Sequence, residues 1–576
     1  MTKKLILVLF IFFGFVATAQ IPKHYVSEDI NVFPKEKVVL SINSNVLLAG
    51  ELLQYKAFNL DAANKESKLS KILYVSLRNE SDSVVFSHKL KVEDGMANGD
   101  FFIPSTLKSG VYNLIGYTNF SRNNLQEAYF KKNIYIINTF IKPTDIKKTA
   151  DTVKVKFASK STSEFSNVKS NEETIKITSD KQSYGFREKV NLSLENRLNN
   201  NGGNYVLSVR KLDPIEISGK VETKVKDVSS GIFYVPEIRG ELISGVLLSN
   251  GDGQPLKNKE VSLTIPGKDF VFKIAKTDAN GRFFFSVTEG YDTDKSIIQL
   301  NDSENDSNTY SFVLDKNDFI LGESDPKILK LEANLNDWLQ ERSIQVQIEN
   351  AYFDIKKDSI LSNKINPAFY DNLGTVFQLD DYTRFPTVKE TFVEVVTLAA
   401  VRGAGENIKF SVNNAYNPNG VAKFNDIPPL VLMDGMQVQN NEDLLSYNAR
   451  EIKSIRVITQ PYRYGPKIYS GIISVITKKG DFVPTLSSNV KELDLPPAIK
   501  KKVQYKTDYN NKAALSRIPD FRVQLLWKPD LTFEEESYST SFFTSDVSGD
   551  FEVTIEGYTG SGQFISAKSY FKVDEN

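Results

Sequence analysis

The chain has no cysteine in its 576 residues, and only two histidines, two tryptophans and four methionines. Without cysteine there is no disulfide, thiolate zinc site, thiol nucleophile or lipid-modified cysteine anchor. His24 and His88 alone are too little for a Ser-His-Asp set or a histidine-built metal site. An excess of either charge is missing too: 71 Lys and Arg stand against 72 Asp and Glu, a net charge of -1. That removes the electrostatic case for nucleic acid as a partner. Beyond the first nineteen residues no apolar run approaches the ~18 residues of a membrane helix, so no transmembrane segment is expected in the mature chain. What is present is ordinary globular composition, 40% hydrophobic and 25% charged with 31 Gly and 21 Pro. The length suits about four domains, or more if they are small β units.

The start of the chain sets the expected compartment. Lys3 and Lys4 precede an apolar run from Leu5 to Val16, followed by Ala17-Thr18-Ala19. A basic start, a short apolar core and small residues at the cleavage site describe a secretory signal peptide over 1–19, with Gln20 as the mature terminus. The run is too short to span ~30 Å of hydrocarbon.

The remainder alternates. Val38, Leu40 and Ile42, then Leu73, Val75 and Leu77, then Val190, Leu192 and Leu194 recur at period two, as do Phe551, Val553 and Ile555. Period two marks a strand with one buried face. Turn clusters such as Asn250-Gly251-Asp252-Gly253, Asp278-Ala279-Asn280-Gly281 and Ser548-Gly549-Asp550 separate the runs. The pattern predicts a mainly β chain of tandem antiparallel β-sandwich modules plus one α+β domain. Two stretches switch to helix. Thr387 with Glu390 has capping-box form before Val388, Phe392 and Val395, and 441–448 is the shorter one. Polar stretches at 142–173, 227–239 and 491–511 read as linkers or loose connectors.

Particular residues carry resemblances. Leu48-Ala49-Gly50-Glu51, Gly99-Asp100-Phe101-Phe102 and Leu107-Lys108-Ser109-Gly110 make 36–140 resemble a macroglobulin-like β-sandwich of the alpha-2-macroglobulin family. Residues 172–225, opening with Asp180-Lys181 and Tyr184, resemble a second one. That family's reactive thioester needs a cysteine, so covalent protease trapping is excluded here. Gln254-Pro255-Leu256 and Thr277-Asp278-Ala279-Asn280-Gly281-Arg282-Phe283 make 239–325 similar to a carboxypeptidase regulatory-like, transthyretin-type domain, which the resemblance implies is non-catalytic.

Residues 386–480 resemble the plug domain of TonB-dependent outer-membrane receptors. The match runs through Leu430-Val431-Leu432-Met433-Asp434-Gly435, Ile452-Lys453-Ser454-Ile455 and Gly471-Ile472-Ile473-Ser474-Val475. Asp434-Gly435 suits a two-residue hairpin turn, and the run after Gly471 suits a central strand buried on both faces. A receptor plug precedes a large barrel, but only about a hundred residues follow Lys478, too few for one at roughly ten per spanning strand. Transport by this chain alone is therefore not expected. Residues 515–576 resemble a closing β-sandwich of plug-containing envelope proteins of Gram-negative bacteria, through Asp520-Phe521-Arg522 and Gly549-Asp550-Phe551.

Chemistry-bearing residues are sparse. His88 keeps step with Phe86 and Leu90 and reads as structural; His24 sits in a segment without periodicity. Asp302, Glu304, Asp306 and Asn308 alternate as in a calcium loop. Ser307 and Val313 stand where the loop needs Gly and Glu, so a polar hairpin is expected. Asp380-Asp381 and Glu534-Glu535-Glu536 read as solvated surface. No catalytic residue, cofactor or metal is expected. The one candidate contact surface is the aromatic loop of Tyr462, Tyr464 and Tyr469 around Gly465. The sequence thus points to a non-enzymatic exported protein, in the periplasm or associated with the outer membrane. It would serve as a scaffold for envelope protein partners, with a glycan-binding accessory of nutrient uptake as the alternative.

Overall fold

The computed structural model describes residues 34–123, 129–142, 151–158, 174–198, 202–219, 234–267, 269–301, 310–315, 327–362, 366–403, 408–413, 427–487, 489–510, 515 and 517–575. The signal-peptide segment 1–19, His24 and the acidic loop at 302–308 lie outside the described residues. The described chain is mainly β, built as tandem sandwiches with one α+β unit.

The first sandwich packs a three-stranded sheet on a five-stranded one. Leu52–Asp61 lies between Glu36–Ile42 and Met96–Phe102, and Ile72–Arg78 and Gly110–Tyr117 are central in the larger sheet. Alternation places Leu40, Leu53, Val75, Leu114 and Ile134 between the sheets. A second sandwich places Arg282–Val287, Glu241–Ser249 and Tyr310–Leu314 over a four-stranded sheet. Its Asp278 carboxylate accepts from the N–H groups of Asn280 and Arg282, and Gly281 takes φ +70 at the turn expected there.

The α+β unit has the strand order Thr375–Gln378, Ile452–Ile458, Ile472–Thr477, Leu430–Met433, Met436–Gln437. Ile472–Thr477 is central, antiparallel to one neighbour and parallel to the other, and almost wholly buried. Asp434 and Gly435 take φ 49 and 81, so both turn residues are left-handed as a type I′ hairpin requires. Helix Val388–Glu394 starts in the expected capping box of Thr387 and Glu390. The unit begins before residue 386, because Thr375–Gln378 supplies its edge strand.

The structure corrects several boundaries. Residues 172–225 and 515–576 are not separate sandwiches but halves of one. Lys189–Asn196 pairs with Ser537–Phe543, and Gly203–Lys211 lies between Gln524–Leu531 and Gly549–Thr559. Their side chains share one core of Tyr205, Leu207, Phe551, Ile555 and Phe571. Neither half has enough strands to cover its own apolar face.

The 142–173 linker contains the strand Asp151–Phe157, the middle of a sheet with Ile215–Ser218 and Lys327–Leu331. Ile215–Ser218 therefore leaves the 172–225 module. The 491–511 connector is also docked: Val490–Asp494 is the fourth strand of the second sandwich. Helix Asn336–Ala351 was not expected. It buries Leu339, Arg342, Ser343 and Val346, and two polar members interrupt the apolar stripe that would have announced it.

Candidate functional site

Tyr462–Tyr464 and Lys467–Tyr469 form a short hairpin whose turn holds Gly465 at φ +57. The hairpin is folded onto the second sandwich. Tyr464 stacks on Phe369 at 4.1 Å and Phe272 at 5.6 Å between ring centroids, and its hydroxyl donates to the Phe272 carbonyl. Tyr462 donates to the Phe369 carbonyl at 3.0 Å, and Tyr469 is 2% exposed. Burial raises the Tyr464 and Tyr469 hydroxyls far above the usual tyrosine range. The structure thus brings all three tyrosines together, and it commits their rings to a junction within the chain.

Other junctions are built from charge. Glu51 of the first sandwich accepts from Arg342 Nε at 2.8 Å, and Arg210 of the discontinuous sandwich lies at 3.5 Å. Arg342 also pairs with Asp213. Burial alone would raise the Glu51 carboxyl, but Arg342 and Arg210 outweigh it and hold it low. Lys89 reaches Glu241 of the second sandwich at 2.5 Å and the Tyr291 hydroxyl at 2.8 Å. Beside them Glu237, 2% exposed, accepts from Leu242 N–H and Tyr74 OH, while its other oxygen is buried with no partner among the described residues. Burial pushes the Glu237 carboxyl up to about 8.

A third knot joins Asp520 to Arg522 and Tyr509, with Lys356 linking it to Glu349 on the long helix. Arg522 and Lys356 overcome burial there and hold Asp520 down at about 2. Lys56, also 2% exposed, donates to the Tyr205 carbonyl at 3.0 Å across the contact between the first and the discontinuous sandwich. Burial pulls its ammonium down to about 7, with Asp530 and Glu66 only partly opposing.

No family model matches this chain, and no curated protein does. Among solved structures it is similar to trypsin-activated alpha-2-macroglobulin from Escherichia coli, at 9% identity and a TM-score of 0.23, over 94% of this chain and 41% of that one. The native conformation of the E. coli protein overlaps likewise, at 9% identity and TM-score 0.24, over 94% and 40%. The adhesin InvE of Yersinia pseudotuberculosis overlaps at 10% identity and TM-score 0.13, over 48% and 58%. The chain spans about two fifths of the macroglobulins' length. A likeness that loose fixes no family and no activity.

His88 is a packing residue. Its Nδ1 lies 2.7 Å from the Tyr55 hydroxyl between Phe86 and Phe101, and burial lowers it to about 4. Asp380 is paired with Arg384. Among the described residues no group of His, Cys, Asp or Glu could hold a metal ion. A shallow, open depression lies on the outer face of the sheet carrying Lys189–Asn196, floored by Thr178, Asn191, Ser193, Ser539 and Ser541. It is hydroxyl-rich and has no aromatic ring. Neither tryptophan offers a stacking face, since Trp527 is 5% exposed and Trp338 packs against a core.

The sequence signalled the tyrosines but not the charged junctions, whose partners stand far apart along the chain. One local clue existed: Lys56 sits inside a strand otherwise rich in apolar residues.

Proposed function

We propose that this chain is a non-enzymatic envelope scaffold, exported through residues 1–19, whose sandwiches and α+β unit present fixed surfaces to protein partners. The observation that carries the reading is the set of buried ion pairs at module junctions, above all Glu51 with Arg342 and Arg210. Buried charges tolerate only one docking geometry, because separating them strands an unpaired charge in an apolar setting. Modules locked in this way keep binding surfaces at set distances, which suits a scaffold. The resemblance of 386–480 to a receptor plug directs the search for partners to outer-membrane complexes. Cross-linking in cells, followed by recovery of the tagged chain from the envelope, tests this directly. Reproducible capture of an envelope protein supports the scaffold, and recovery of the chain alone defeats it.

The glycan-binding alternative has less behind it. Sugar sites use aromatic faces for stacking, and the hydroxyl-lined depression offers none. Saturable binding in a glycan panel would reverse this preference.

A further inference from the structure

The strand Ser537–Phe543 is the outer strand of its sheet, paired to Lys189–Asn196 on one side and to no described strand on the other. Asn196 N–H donates to the Glu536 carbonyl, and Thr544 N–H to the Glu188 carbonyl. Antiparallel alternation then turns the backbone groups of Ser537, Ser539 and Ser541 outward. At the far end Arg522 occupies the Phe543 carbonyl at 3.3 Å, so the open stretch is centred on Ser539.

Unpaired edges are normally guarded by charge, proline or a bulge. Other long edges here follow that rule. Glu36–Ile42 carries Glu36 and Lys37, Val84–Lys91 carries Lys89 and Lys91, and Gln524–Leu531 carries Lys528, Pro529 and an irregular register. Ser537–Phe543, with sequence SYSTSFF, has no charged residue and no proline, and its pairing to Lys189–Asn196 is regular. Among the described edge strands it is the longest without a charge.

We infer that this edge pairs with its own counterpart in a second copy of the chain, antiparallel about a two-fold axis at Ser539. In that register Ser537 faces Ser541 of the other copy, Ser539 faces Ser539, and Tyr538 faces Thr540. All three outward serines exchange both backbone hydrogen bonds. Small hydroxyl side chains meet on the outer face, so nothing there obstructs approach. Charge also matches. Glu534, Glu535 and Glu536 precede one end of the edge, while the exposed Lys189 lies opposite Phe543 at the other. The two-fold places Glu535 of one copy in the same cross-strand row as Lys189 of the other. The two sheets become one continuous sheet, with the hydroxyl rows of both copies side by side.

The test uses the full mature chain, with sedimentation velocity over a concentration series. A monomer–dimer equilibrium is expected. Ser539→Lys sets like charges against each other at the axis and should abolish the dimer with unchanged circular dichroism and melting temperature. Because the chain has no cysteine, Ser539→Cys introduces a single thiol. Opposed Cα atoms about 5.5 Å apart lie within disulfide reach, so mild oxidation should yield a covalent dimer. Ser541→Cys, displaced from the axis, should not. A parent that is monomeric at all concentrations, or Ser539→Cys cross-linking no faster than Ser541→Cys, overturns the inference. A monomeric parent that loses a cross-linked envelope protein on Ser539→Lys also overturns it, and gives the edge to another polypeptide.

Discussion

Replacing Lys56 with methionine should stabilise the protein at pH 7, with a benefit that fades as pH rises. Lys56 is 2% exposed; its ammonium donates to the Tyr205 carbonyl at 3.0 Å and lies 4.8 Å from the centroid of the Phe58 ring. Its folded pKa of about 7 lies well below the 10.5 of an unfolded lysine. Between those values the unfolded chain holds a proton that the folded chain has released. Stability contributed by this group is therefore present above pH 10.5 and is lost as pH falls toward 7. At 1.36 kcal/mol per pKa unit, the penalty is about 4 kcal/mol at pH 7 and about 2 kcal/mol at pH 9. Methionine keeps the stem volume and removes the penalty, but forfeits a hydrogen bond worth about 1 kcal/mol. The expected net gain is about 3 kcal/mol at pH 7, shrinking to about 1 kcal/mol at pH 9. Urea unfolding of parent and variant at pH 7, 8 and 9, followed by circular dichroism and tryptophan fluorescence, measures the difference. Parallel profiles, or a variant less stable at pH 7, would refute the reasoning, because Lys56 would then be held as a stabilised cation.

Four further perturbations have defined outcomes. Glu237→Gln should flatten a slope of opposite sign: the raised carboxyl keeps its proton in the fold from pH 4.5 to about 8, so its contribution is full below 4.5 and is lost as pH climbs through 8, by about 1 kcal/mol per unit. Unfolding midpoints of parent and variant across pH 5–8 check this. Gly435→Ala should lower the melting temperature and cost about 2 kcal/mol or more, since the residue takes φ +81 and a Cβ would lie 2.1 Å from the Phe270 ring. Gly480→Ala, at φ +69 with open space around it, should cost only about 1 kcal/mol. Arg342→Met should cost about 3 kcal/mol by chemical unfolding, because Glu51 is left with Arg210 as its remaining cation at 3.5 Å.

Elements whose cause is local were legible. The Asp434-Gly435 turn follows from two left-handed positions in a row, the Thr387 cap from a hydroxyl three residues before a glutamate, and the central Ile472–Thr477 strand from a largely apolar run after Gly471. The joining of residues 175–211 to 524–573 was not legible, because each strand of that sandwich alternates correctly by itself and nothing in its period names a partner over three hundred residues away. A sandwich strand thus advertises its face and hides its neighbour.

The same limit explains the charged junctions. Alternation in Leu52–Asp61 marks Leu53, Tyr55 and Ala57 as core and Gln54, Lys56 and Phe58 as the outer face, yet eight successive residues of that strand are buried. Ile72–Arg78 is buried throughout, with Tyr74, Ser76 and Arg78 on the side away from its own core. Period two reports which side chains face a module's own core; it does not report that a second module covers the other face. Polar residues left on a covered face must then be paired or neutralised. Glu51 is paired with Arg342, Lys89 with Glu241, and Lys56 and Glu237 have their proton affinities shifted toward the neutral form. Charged residues on these covered surfaces therefore stand, in the assembled chain, at the contacts between modules. The serine edge at Ser537–Phe543 runs against that pattern, being uncharged and open where its neighbours are charged or covered.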